Sequence, residues 1–375
     1  MRVLSVLQRI SITILISAFP LLVISACGSG ATPASSTGTG TPSSTTPSIT
    51  ATAAQAGAQV ITIANRLSGA SVYYTVDGSS PTIGSIQYLA PFLITQTTTV
   101  NAVAFSATAQ SSIATQTYTM TLPSGTLVWS DEFSNATGAN AQPNPALWVY
   151  EAGASGYGNQ ELEDYCAWGS NISPCAIGNP NVFVGTDGYL HIVAEQPSAG
   201  VYTSARIKTQ GLFSVPYGRI EARMLLPEGQ GLWPAFWLLG NNITSDGWPI
   251  CGEMDVMEHT NSPSPDYILG SVHMPKANLS RQFSSSGFSS AGWHTYGMIW
   301  AKGTIEYYVD SPTNIYASYS AAQVAASGGI WPFDSGNDFF VLLNLAVGGT
   351  FPGSPNASTP FPSQVLVDYV RLYTN

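Results

Sequence analysis

The chain reads as an all-β protein, a large two-sheet sandwich preceded by a smaller one, and three observations carry that expectation. From about residue 57 onward, short β-branched and aromatic runs recur, separated by Gly, Pro, Asp and Ser turn signals. Apolar and polar positions alternate in "RIEARM" (219–224), while "FFVLLNLAV" (339–347) is apolar enough for burial on both faces. Only "SAAQVAASGG" (320–329) reads as a helical piece.

The elements follow in order. Residues 1–26 carry Arg2 and Arg9, then a mostly apolar run, then Ile24-Ser25-Ala26 directly before Cys27. This end resembles the lipobox of bacterial lipoproteins, which implies a cleaved signal and a lipid-bearing Cys27. An ordinary secretory signal with an incidental Cys is the alternative. Residues 27–56 are rich in Ser, Thr, Pro, Gly and Ala without periodicity, the composition of a flexible tether. Residues 57–121 hold "QVITIAN", "ASVYYTV", "TTTVNAVAF" and "ATQTYTM", which predict a small Ig-like antiparallel sandwich. The stretch "GASVYYTVDGSSPT" resembles the small β-sandwich at the C-terminal end of chitobiases and β-hexosaminidases. It reads as a spacer or as a carbohydrate-binding module. Residues 122–125 form a joint, and 126–375 run strand after strand, as in a large sandwich.

Composition narrows the function. With 21 acids against 11 basic residues the formal net charge is -10, which argues against nucleic acid and against a basic grip on lipid. A neutral substrate or a bound cation suits it better. If Cys27 is lipidated, Cys166 and Cys175 flank a short loop, as a disulfide in an exported protein or as two thiols. Cys251 is left as a buried free thiol.

The densest chemistry lies in "GWPICGEMDVMEH". Glu253, Asp255 and Glu258 fall within six residues, in a chain only 9% charged. Acids set among Met254, Val256 and Met257 sit on or beside a buried strand, where they are costly without partners or work. Residues two apart share a strand face, so Glu253 and Asp255 point together, but Glu258 falls on the wrong parity. A β-bulge at Val256–Met257 brings it back. On a flat strand the two Glu would stand roughly 13 Å apart. A concave sheet with side chains leaning together brings the carboxyls to about 5 to 6 Å, the range of retaining glycosidases. Asp255 between them separates their pKa values. A structural acid or calcium cluster is the competing reading, although metal loops carry Gly and Asn rather than this apolar pattern.

With its neighbours the segment resembles glycoside hydrolase family 16, of the bacterial laminarinase type. The likeness runs from about Trp129 to Tyr373, through "WSDEF", "GYGNQELEDY", "YTSARIKTQGLFSVPYGRIEARMLLPEGQGLWPAFWLLG", "GSVHMP", "LLNLAVGGTFPG" and "VDYVRLY". It implies a concave β-jelly roll with an open cleft. It implies Glu253 as nucleophile, Glu258 as acid/base and Asp255 as assisting carboxylate. Trp233 and Trp237 match sugar-stacking tryptophans, and Asn159, Arg206, His273 and Asn344 match cleft polar groups. The competing readings are core tryptophans for Trp233 and Trp237, a structurally paired Arg206 and a satisfied core His273. Glu132, Gly188 and Asp368 stand where the family holds a structural calcium; no organic cofactor is implied. The Cys166–Cys175 insertion is expected to wall one end of the cleft.

The expected protein is therefore a monomeric enzyme, lipid-anchored in a bacterial envelope, that cuts internal β-1,3 bonds of laminarin-like β-glucan. Mixed-linkage glucan, galactan, transglycosylation, or glycan binding without catalysis are the alternatives.

Overall fold

The computed structural model describes residues 45–261 and 266–375. The expected signal, Cys27 and most of the tether lie outside the described residues. No helix among the described residues is long and apolar enough to cross a membrane.

The large domain is a sandwich of two sheets. One has ten strands, with a central order of Leu190–Ser198, Ser363–Tyr373, Gly218–Leu225 and Trp293–Ala301. The other has seven, in the order Ala277–Phe283, Ile268–Met274, Glu253–Glu258, Leu232–Gly240, Phe339–Val347, Arg206–Lys208 and Val149–Glu151, all antiparallel to their neighbours. Strand periodicity sorts their side chains. In Phe339–Val347 the odd positions enter the core between the sheets, while Phe340 and Leu342 pack on the opposite face with Leu239 and Cys251. The whole strand is buried, as its largely apolar pattern implied. The expected helical piece is Ala321–Ala326, started by a reciprocal capping box between Ser320 and Gln323.

The small domain is also a two-sheet sandwich. Its three-stranded sheet is Ser48–Ala53, Gln59–Ala64 and Phe92–Ile94; its four-stranded sheet is Ile86–Gln87, Ser71–Thr75, Gln96–Phe105 and Ala114–Thr121. This corrects the tether's end at residue 56. Ser48–Ala53 pairs antiparallel with Gln59–Ala64, and Ile49 packs against the module's core. Small Thr and Ala residues hid that strand, because its cohesion comes from the partner rather than from its own hydrophobicity.

The module is docked onto its neighbour. Ala58 and Leu93 are buried in the large domain's core cluster. Phe92 bridges to Ser214, and Gln55 Nε2 donates to Ser130 Oγ at 3.0 Å. The 122–125 joint is also held: Gly125 N donates to the Thr374 carbonyl at 3.1 Å, and Thr374 Oγ1 to that of Pro123 at 2.6 Å. Calorimetry of residues 45–375 should therefore show one cooperative transition, with Leu93→Ala lowering stability by roughly 2–5 kcal/mol. Two separable transitions, only the first moved by Leu93→Ala, would contradict the docking.

Candidate active site

The seven-stranded sheet carries the three acids, and its register shows how. Against the neighbouring strand, Leu239 faces Glu253, Trp237 faces Asp255, and then Phe236 faces Met257, so Val256 is the extra residue. The other neighbour slips at the same point, with Ser271 opposite Asp255 and Leu269 opposite Glu258. The bulge sends Met254, Val256 and Met257 into the core and leaves Glu253, Asp255 and Glu258 together on a cleft of about 450 Å³. Gly252 sets the strand's start. It sits at φ +78°, and a Cβ there would come within 2.8 Å of Pro332.

The bulge also aligns rows across the sheet. Glu151, Arg206, Asn344, Ala235 and Glu258 lie opposite one another on five successive strands. Ala235, being small, leaves a hollow between Asn344 and Glu258. One step along, Trp237 stands beside Asp255; one step the other way, Trp233 stands beside Ala346. Trp233, Ala235, Trp237 and Leu239 all line the cleft, while Leu232, Phe236 and Leu238 fill the core. The two tryptophans are thus cleft residues held edge-on by polar contacts. Trp233 Nε1 donates to Glu258 Oε1 at 3.1 Å, and Trp237 Nε1 to Asn344 Oδ1 at 2.8 Å.

His273 stands against two of the acids, and Ser271 and Trp233 against the third. His273 Nε2 lies 3.1 Å from Asp255 Oδ2 and 3.8 Å from Glu253 Oε1, close contacts rather than aligned hydrogen bonds. Ser271 Oγ donates to Glu258 Oε2 at 3.3 Å. Glu253 keeps 18% of its side chain exposed, against 5% for Asp255, so it is the more open of the two to a substrate. Burial, and for Glu253 and Glu258 the charge of nearby Asp255, push all three carboxyls up, Asp255 and Glu258 to about 8. The three cannot all be ionised near neutrality, and the proton they retain belongs to the set. Such a site can offer an attacking carboxylate and a proton-donating carboxyl together.

Arg206 is a frame for the far wall. Its guanidinium carbon lies 4.6 Å from the Trp237 ring centroid and 5.1 Å from that of Tyr157. Glu151 faces both Arg206 at 2.9 Å and Lys208 at 2.6 Å. From Trp237 a relay of donors runs through Asn344 to Tyr165 at 3.2 Å and on to Glu161 at 2.9 Å, where Asn159 also donates at 3.0 Å. Behind it the buried Glu163 accepts from Val347 N at 2.7 Å, its carboxyl pushed up to about 8 by burial and by Glu161.

The structure thus gathers Glu253, Asp255, Glu258, Asn159, Arg206, Trp233, Trp237 and Asn344 around one cleft, with His273 against two of the acids. The reading from sequence missed Tyr157, Glu161, Lys208, Phe340 and the half-exposed Trp248, whose ring lies 6.1 Å from that of His273. Trp248 had a signal, standing five residues before Glu253. Two expectations need correction. Cys166 and Cys175 are bonded, with Cα atoms 5.7 Å apart, but the cleft wall is Tyr157–Asn159 and Glu161, not the loop they close. Glu132 has both oxygens on Arg371, at 2.9 and 2.7 Å, and Asp368 is paired with Arg223 at 2.6 Å. With these carboxylates already neutralised, the trio with Gly188 does not fit calcium. Donor atoms of Glu253, Asp255 and His273 do lie within 4.8 Å of one another. Cys251 is buried and free, its thiol pushed up to about 12 by burial, which leaves it unreactive.

Comparison with known proteins bears on both domains. Residues 61–118 match the family model Fn3 associated, and residues 173–335 match Glycosyl hydrolases family 16. A beta-glucanase of Rhodothermus marinus is 37% identical over 264 residues, spanning 67% of this chain and 86% of its own length. The laminarinase catalytic domain of Thermotoga maritima superposes with a TM-score of 0.58 at 36% identity, covering 68% of this chain and 99% of that one. An endo-beta-1,3-glucanase of Pyrococcus furiosus does so with a TM-score of 0.56 at 39% identity, covering 66% and 94%.

The crowding of acids has a consequence for stability. Asp255 is raised in the fold from an ordinary 3.8 to about 8. Its protonated form favours folding, so stability is fully present below pH 4 and is lost as pH rises toward and through 8. Asp255→Asn removes Asp255's share of that dependence and lessens the upward push on Glu253 and Glu258. Its melting temperature relative to the native protein should rise between pH 5 and pH 9; a constant difference would show that the three acids retain no extra proton in the fold.

Proposed function

Since the chain belongs to glycosyl hydrolases family 16, we propose that it cleaves internal β-1,3 bonds of laminarin-like glucan with net retention. The chain is a glycoside hydrolase; the observation that supports the retaining reading is the bulge that sets Glu253 and Glu258 on one cleft face. Glu253 attacks the anomeric carbon while that carbon's bond to the leaving oxygen breaks. Glu258 gives the leaving oxygen its proton. A water then loses a proton to Glu258 and attacks the same carbon, which frees Glu253. His273 eases the nucleophile's charge, and Asp255 beside it opposes that charge and keeps it reactive. The open cleft with tryptophan walls suits the middle of a polymer, which favours endo cleavage. The crowded acids disfavour a purely binding protein, which would gain nothing from three destabilising carboxyls.

We also propose that residues 1–26 are a lipoprotein signal and that Cys27 carries the anchor, placing the enzyme in a bacterial envelope. The support is the sequence alone: a positive start, an apolar run and small residues directly before Cys27.

Glu253→Ala should abolish reducing-sugar release from laminarin and from an aryl β-1,3-glucoside alike. Glu258→Ala should lose about 10²–10⁴-fold on laminarin and far less on an aryl glycoside whose leaving group needs no proton. Full activity of Glu253→Ala sinks the assignment, and faster release from lichenan or agarose moves the substrate class. For the anchor, the full chain expressed in bacteria should partition into detergent and Cys27→Ser into water; equal partitioning refutes it.

A further inference from the structure

A second concave site lies where the small module meets the large domain. It encloses about 490 Å³, within the range of about 300–1,000 Å³ that small-ligand sites occupy. One wall comes from the module, with Tyr73, Asp77 and Gln87. The other comes from the short helical turn Ile243–Asp246 and the Asn242 before it. That turn is shared. Ile243 lines the catalytic cleft, while Asn242, Ser245 and Asp246 line the groove. A chain leaving the cleft past Leu239 and Ile243 therefore meets the groove one helical turn away.

The groove's chemistry is that of a neutral sugar site. Tyr73 offers a ring fixed edge-on by Phe105, at 5.8 Å between centroids. Asp77 is held by Ser79, whose N–H donates at 3.0 Å and whose hydroxyl donates at 2.6 Å, and these bonds keep its carboxyl below the usual range. Asp246 is held by Asn242 Nδ2 at 2.7 Å. Fixed carboxylates and amides accept from and donate to sugar hydroxyls without reordering. None of the described lining residues is basic, so sulfated or uronic chains would be repelled. The docking through Ala58 and Leu93 keeps the two walls at a set spacing.

We propose that this groove is an accessory subsite that holds a distal stretch of the same neutral glucan chain being cut in the cleft. The inference rests on the glucanase reading above. A second contact on a long chain raises its effective concentration at the cleft and does nothing for a chain too short to reach.

The test compares laminarin with a β-1,3-glucotetraose, using Ser245→Trp from one wall and Gln87→Trp from the other. Each substitution fills the groove from an exposed or half-exposed position. KM for laminarin should rise about tenfold in both variants, with kcat/KM for the tetraose unchanged. An unchanged laminarin KM, or an equal loss on both substrates, overturns the subsite. A wild type inert on both substrates overturns the glucanase reading itself, and the subsite with it.

Discussion

One extra residue in one strand holds the site together. Without Val256 as the bulged residue, strict alternation would turn Glu258 into the core between the sheets, and an ionisable group would stand among Met and Val. With it, two apolar residues in succession enter the core and the third acid returns to the cleft. The same slip appears on both neighbouring strands, so the bulge is fixed from two sides. Asn344, Ala235 and Glu258 come into one row only because of it.

The site is built against stability. Three carboxyls in a shielded cleft have lost solvent, which raises the pKa of each, and the charge of Asp255 raises Glu253 and Glu258 further. Compensation comes from remote positions: His273 from the adjacent strand, Trp233 and Ser271 as donors to Glu258, and Arg206 from three strands away. The compensation is partial. A fully neutralised trio would be more stable and would have neither a nucleophile under tension nor a proton to give. The Arg371–Glu132 fork shows the contrast: there both carboxylate oxygens are satisfied, and Glu132 is held below its ordinary range by Arg371.

The small module shares this rigid frame. Because its strand Phe92–Ile94 reaches into the larger core, its outer surface has a fixed relation to the turn beside the cleft. A linker-borne module would sample many positions; a docked one presents a single wall.

Much of this was legible in the chain itself. Alternating and largely apolar runs gave the two sandwiches, and "FFVLLNLAV" its double burial, because side-chain direction along a strand depends on local parity. Parity also exposed the need for a bulge, since 253, 255 and 258 cannot share a face otherwise. The four-residue spacing of Trp233 and Trp237 likewise put both on one face. Other features depended on register between distant segments. The first strand, Ser48–Ala53, is too weakly apolar to declare itself without Gln59–Ala64 beside it. The arginine partners of Glu132 and Asp368 lie 239 and 145 residues away along the chain. The pairing of His273 with the acids, and the wall made by Tyr157 rather than by the disulfide loop, were likewise decided only by folding. A sequence fixes which way each side chain points along its own strand; what it then meets is set by the strands that come to lie beside it.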